Sequence, residues 1–358
     1  MKWGNALKLT LGFLFLLSAF SKFVDIDSFE IYVYSLGFVG QAFSQVASRL
    51  VITGEVLLGV MLISGRWHKL TMACTALLLL GFTLLLAYLA MSGHTDSCHC
   101  MGELMPFSPA QSILKNALLL MVTLAAYRFS NVAWRVPWWL AALLAALPIA
   151  LTVMFGYKGL VYLTGFMRDY LIVWLVVLPM VAALAVLPAL HRWWVTLLLA
   201  LAPVATLFIQ NAPDNWLNNT PAVSYDKEML LRQTQVGGPL ADAYITTGRH
   251  VVALYSSSCH YCQRAAAKIG TIQQQAKLPD SAFVNVFPLT RRDGKAHPEL
   301  FYAQSRSPQY HTLSLPADTF LHITKGRFPL ILLMRDGTVD TAIDYRDITE
   351  RYLIEFLK

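Results

Sequence analysis

Charged residues are scarce: Asp, Glu, Lys and Arg make up 14% of the 358 residues, against 56% hydrophobic. A soluble domain carries about 25% charged residues, so a purely cytosolic globule does not fit the whole chain. The scarcity is uneven. Residues 1–210 contain 12 Lys/Arg and 7 Asp/Glu, whereas residues 211–358 contain 16 and 14. The net charge of +7 divides into +5 and +2 across that boundary, so no concentrated basic field points to nucleic acid. A small-x-small cleavage site is also missing after the first apolar segment, which ends Ser18-Ala19-Phe20-Ser21-Lys22. That argues for a retained span rather than a cleaved signal peptide.

The chain has long apolar runs in its first part. A spanning helix needs roughly 20 mostly apolar residues, and seven stretches meet or approach this: about 6–23, 46–64, 70–91, 111–128, 137–156, 170–190 and 193–210. The segment 158–168 is too short to cross and is placed at the interface. Positive charge biases the orientation. With a cytoplasmic N-terminus, inner loops hold Lys2, Arg66, Lys69, Arg128, Arg135 and Arg192, and outer loops hold Lys22, Lys158 and Arg168. The expectation is an all-α polytopic bundle of about seven transmembrane helices in a bacterial inner membrane. The loop 92–110 and a C-terminal soluble domain then lie on the periplasmic or extracellular side.

Among the ionisable residues inside these spans, Arg49, Glu55 and Lys115 stand out. Each costs roughly 2.5–3.5 kcal/mol near the bilayer centre on insertion scales, so each calls for a partner or a wet cavity. Arg49 and Lys115 lie near span ends and can snorkel to the interface. Glu55 is deeper. It reads either as a structural residue or as part of a polar pocket for a quinone headgroup or a proton.

The five cysteines are Cys74, Cys98, Cys100, Cys259 and Cys262. Cys74, within the third span, reads as a small buried hydrophobe. Cys259-His260-Tyr261-Cys262 follows the β-rich run Val251–Tyr255 and precedes an amphipathic helical stretch. A strand, a short loop and a CxxC opening a helix is the context that gives this motif a redox meaning. The first sulfur sits at a helix N-terminus, where free N–H groups and the dipole favour a thiolate by at most about 2 kcal/mol. His260 adds positive charge, and Cys262 is placed to resolve. A zinc site needs two further ligands, and this part of the chain has no second Cys pair.

Downstream, Gly326-Arg327-Phe328-Pro329 leads into Leu330–Met334, then Arg335-Asp336-Gly337 and a second alternating run to Tyr345. This is a proline at a strand start, a hairpin turn and a partner strand; Ile348–Lys358 closes the chain as a short helix. On these residues, positions of about 225–358 resemble a thioredoxin-fold domain. The resemblance implies an α/β fold, a cis Pro329 packed against the redox pair, and catalysis by Cys259 and Cys262. Ser257 and Ser258 stand where that family often has a Trp, and residues 289–320 have an insertion-like polar composition.

Cys98-His99-Cys100 lies in the loop after the third span. Two cysteines separated by one residue close a very small ring, so their disulfide departs from relaxed geometry and is easily reduced. That suits a relay. The alternative is a metal site with His94, Cys98, His99 and Cys100 as ligands, which would make the chain a metal handler or assembly factor whose other domain keeps the loop reduced. Ser21-Lys22, Asp25, Phe29, Tyr34, Leu36, Glu55 and Gly59 resemble the DoxX/MauE family of membrane proteins. The run Asp96–Gly102 with Ser112–Asn116 is similar to the MauE branch. The resemblance covers about residues 1–130, a four-helix unit. It implies a role in disulfide formation during maturation of an exported enzyme. His99 replaces the glycine usual between the two cysteines.

The expected organisation is therefore a DoxX/MauE-like unit at 1–130, three further spans at 131–210, a linker at 211–224 and a thioredoxin-like domain at 225–358. The linker is polar and proline-punctuated. Roughly 15 extended residues reach on the order of 50 Å and would hold the CxxC near the loop at about millimolar effective concentration. The expected function is a membrane thiol–disulfide oxidoreductase. It exchanges electrons between the CxxC and the Cys98/Cys100 loop and acts on exported client proteins. Beyond redox-active disulfides no cofactor is evident, and no quinone motif is readable, although an oxidase would need an acceptor such as a quinone.

Overall fold

A computed structural model of the chain describes residues 3–24, 26–65, 67–92, 108–129, 223–235, 238–241, 243–289 and 295–358. These fall into two compact units. One contains Met1–Phe29 and Val46–Asn211, and the other Glu30–Gln45 and Ala212–Lys358. The three spans expected between 131 and 210, and the loop carrying Cys98 and Cys100, lie outside the described residues.

Four long helices of the first half are long and apolar enough to cross a membrane: α1 (Trp3–Val24), α3 (Gln41–Ser64), α4 (His68–Met91) and α5 (Pro109–Phe129). Short α2 (Ile26–Ser35) follows α1 directly. Five threonine hydroxyls on these helices are satisfied locally. Thr10, Thr53, Thr75, Thr83 and Thr123 each donate to the carbonyl four residues back, which lets a polar atom sit where no water can serve it. Leu11, Phe15, Leu62, Met72, Leu79 and Ala126 form the bundle core. Leu50, Leu77, Leu84 and Leu114 point outward and are exposed, as a lipid-facing surface requires. Helices α1 and α3 approach backbone to backbone at Gly12 and Gly59. A Cβ built on Gly59 would lie 2.8 Å from Leu16 Cγ and 3.0 Å from the Gly12 carbonyl oxygen, so only hydrogen fits there.

The second unit is built on a five-stranded mixed sheet. After α6 (Lys227–Thr234) and α7 (Ala243–Thr246) come β1 (Arg249–Leu254), α8 (His260–Ala276), β2 (Phe283–Pro288), α9 (Pro298–Ser305), β3 (His311–Leu315) and α10 (Ala317–Thr324). Then follow β4 (Leu330–Arg335), β5 (Thr338–Ile343) and α11 (Glu350–Leu357). The strand order is β3-β2-β1-β4-β5. β1 pairs parallel with β2, β2 parallel with β3, and β1 antiparallel with β4. β4 and β5 form the expected hairpin around Asp336 and Gly337, both at positive φ.

Alternation along the strands fills two cores. Val251 and Ala253 face Ile269, Ile272 and Leu353 on one side, while Val252 and Leu254 face Phe320 and Ile323 on the other. Successive strand residues point to opposite faces, and a sheet buried on both faces needs apolar residues at both parities. The polar stretch 289–320, read from composition as insertion-like, contributes α9 and edge strand β3. Being at the edge, β3 leaves His311 exposed and needs no apolar run.

Candidate functional site: a dithiol at the end of the central strand

The sheet register builds the site. Leu254, the last residue of β1, pairs with Leu330, the first of β4. The chain leaving β1 toward the cysteines and the chain arriving through Phe328 and Pro329 are therefore neighbours at one end of the sheet. The Phe328–Pro329 peptide is cis. Cys259 is the N-cap of α8, and its sulfur accepts the Cys262 backbone N–H at 3.3 Å. An N-cap acceptor satisfies one of the four free donors of a helix start; here that acceptor is a sulfur. The Cys259 sulfur also lies 3.9 Å from the Phe328 carbonyl oxygen.

The two thiols differ sharply. Cys259 is half-buried and its pKa is lowered from the ordinary 9.0 to about 7, first by the hydrogen bond from the Cys262 thiol and then by the N–H groups of Cys262 and Tyr261, against the opposing effect of burial. Cys262 has no exposed surface. Burial first, then its hydrogen bond to Cys259, pushes its thiol far above the ordinary range. Its sulfur is also 3.5 Å from the Ser256 N–H. The surroundings thus favour the thiolate at Cys259 and the protonated thiol at Cys262. His260 follows the cap and is exposed. Tyr261 packs on Tyr345 with ring centroids 5.7 Å apart, and Arg264 lies over the Tyr261 ring at 5.8 Å.

Some neighbours carry no sequence signature. Tyr255 is fully buried behind the pair, and burial raises the pKa of its hydroxyl. Its ring stacks on Phe301 at 5.2 Å. Nothing local distinguishes it from an ordinary strand residue.

In the first unit the deep Glu55 has a partner. Lys22 Nζ is 2.9 and 3.0 Å from the two Glu55 carboxylate oxygens and 2.6 Å from Ser18 Oγ. The two side chains are 2% and 4% exposed. Lys22, counted above as an outer-loop charge, is instead on α1 and buried. A basic residue at the end of an apolar run looks like a flank until the partner helix is known. Arg49 is also buried in the bundle, and Lys115 is half-buried. His94, Cys98, His99 and Cys100 lie outside the described residues, so the relay and metal readings of that loop are not separated by geometry. Among the described residues no three His, Cys, Asp or Glu side chains are grouped to hold a metal.

Two comparisons find similar proteins. The chain is 35% identical over 129 residues to Protein TlpB of Flavobacterium psychrophilum, a match that covers 33% of this chain and 35% of the relative. The match thus spans about a third of that protein's length. No solved structure matches. Residues 2–129 match the family model of Methylamine utilisation protein MauE, and this similarity, with four helices long and apolar enough to cross a membrane, supports a multi-pass membrane protein.

Proposed function

We propose that the protein is a membrane thiol–disulfide oxidoreductase whose C-terminal α/β domain is of the thioredoxin type. The carrying observation is the unequal pair: a Cys259 sulfur at about pKa 7 in front of a buried, protonated Cys262. A thiol that is a good thiolate is also a good leaving group, which favours handing a disulfide to a client.

In that direction a client thiolate attacks the Cys259 sulfur of the Cys259–Cys262 disulfide. The bond between the two cysteines breaks, and Cys262 leaves and takes up a proton. A second client thiolate then breaks the mixed disulfide and releases Cys259 as a thiolate. The client gains a disulfide and the domain gains two electrons. To recharge, Cys259 attacks a Cys98–Cys100 disulfide, and Cys262 resolves the adduct, leaving the loop as two thiols. The loop in turn passes its two electrons to a membrane acceptor of the quinone class, to which no residue is assigned. The same steps in reverse reduce a client. Pro329 and the Phe328 carbonyl border the reacting sulfur. Exported proteins are the clients, and both cysteine pairs work on the periplasmic side.

Replacing Cys262 with Ser tests the relay, because the mixed disulfide then has no resolving thiol. A covalent link between Cys259 and Cys98 or Cys100 should appear on mapping of non-reduced peptides. If client adducts are trapped but no loop adduct forms, the internal relay is wrong. A Cys98→Ser/Cys100→Ser chain should shift the redox state of Cys259/Cys262. Lost metal with an unchanged redox state would instead favour a metal-handling loop.

A further inference from the structure

The segment Glu30–Gln45, which joins the first two spanning helices in sequence, belongs to the same compact unit as the α/β domain. Its side chains answer specific needs of that domain. A helix start leaves four N–H groups without intrahelical partners. At α11, Thr349 Oγ1 accepts only the Tyr352 N–H. The Glu350 N–H is taken by Gln41, whose Oε1 accepts it at 2.7 Å. The same carboxamide turns its Nε2 to the Ile348 carbonyl at 3.2 Å, so one glutamine brackets Thr349 as a neighbouring strand would.

Two further contacts join this one. Gln275, near the C-terminal end of α8, donates to the Ser35 carbonyl at 3.2 Å. Tyr34 is 3% exposed and part of the apolar core that includes Ile348 and Leu353, with the Glu350 carboxylate within electrostatic reach of its hydroxyl. Gly37, at φ +74°, makes the turn that brings Ser35 and Gln41 to bear on the same surface.

We infer that Glu30–Gln45 is a docking clamp for the α/β domain. It grips the start of α11 and the far end of α8, and so leaves the Cys259 end of α8 uncovered. About 16 residues of helix separate Gln275 from Cys259, or roughly 24 Å at 1.5 Å per residue. The clamp holds the α/β domain in a fixed setting on Glu30–Gln45 itself. The contacts stand by themselves; only their value for electron exchange rests on the proposed function.

Hydrogen exchange on the full chain in lipid nanodiscs tests the clamp. Gln41→Ala should raise the exchange rate of the Glu350 amide about tenfold, because a protected amide exchanges through local opening. Peptides spanning 30–40 should lose protection with it. The reaction rate of Cys259 with a small aromatic disulfide should stay as in the parent, which shows that the domain has not unfolded. Unchanged protection at Glu350 overturns the inference. A second variant is independent of that amide: Gly37→Cys with Gln275→Cys, in a chain whose natural cysteines are serines, should be joined within one molecule by a short bis-maleimide. Failure to crosslink also overturns it. Neither readout depends on a Cys259–loop adduct, so failure of the relay leaves both measurements meaningful.

Discussion

Removing the Cys262 thiol while keeping its backbone should raise the pKa of Cys259, since that thiol's hydrogen bond is the first cause of the lowering. At pH 7 a thiol of pKa about 7 is about half ionised, whereas one at 9.0 is ionised in about one molecule in a hundred. Only the thiolate reacts with iodoacetamide, so the parent chain should react roughly fifty times faster than an ordinary thiol would after allowance for exposure. Below pH 7 its rate should fall about tenfold per unit; above pH 8 it should level off. Cys262→Ala, made in a Cys74→Ser/Cys98→Ser/Cys100→Ser background, keeps the backbone N–H groups of Cys262 and Tyr261 that also favour the thiolate. Its midpoint should therefore rise by about one unit and stop short of 9.0, with a rate at pH 6.5 about tenfold lower. The assay is the pH profile of alkylation, with the Cys259 peptide quantified by mass spectrometry. An unmoved midpoint would refute the claim that the neighbouring thiol sets the reactivity.

Two further predictions concern the bundle. Glu55→Ala removes the carboxylate that balances the buried Lys22 charge and should cost about 3–5 kcal/mol, while the double change Lys22→Met/Glu55→Leu should come close to the parent. Thermal unfolding in detergent reads both, and a double variant that folds but no longer supports client oxidation would instead make the pair part of the chemistry. Gly59→Ala forces a methyl against Leu16 and the Gly12 carbonyl and should cost about 1–3 kcal/mol. A thermal midpoint equal to the parent's would show that the two helices part freely.

Sequence reached some of this and missed the rest for identifiable reasons. Local patterns were legible: four described spans agree with the apolar runs to within a few residues, and the strand, CxxC and helix order stands as read. The turn at Asp336 and Gly337 was equally plain. What escaped are relations between distant positions. Lys22 looked like a flanking charge because its partner, Glu55, is 33 residues away. Nothing local marks Tyr34 or Gln41 as a partner of the C-terminal part, because the residues they meet lie some 300 positions on. Strand β3 hid in a polar stretch because an edge strand has little apolar surface to advertise. Tyr255 is one more aromatic in a β-rich run until the fold sets it behind Cys262.

Burial of Cys262 also bears on damage by peroxide. Hydrogen peroxide that reaches the half-buried Cys259 thiolate converts it to a sulfenic acid and releases hydroxide, which takes a proton from solvent to become water. The neighbouring thiol, already within hydrogen-bonding range, condenses with that sulfenic acid, expels a second water and closes the disulfide. The pair thereby closes as a disulfide before another oxidant can carry Cys259 to the irreversible sulfinic stage. Its hidden partner meets no peroxide at all.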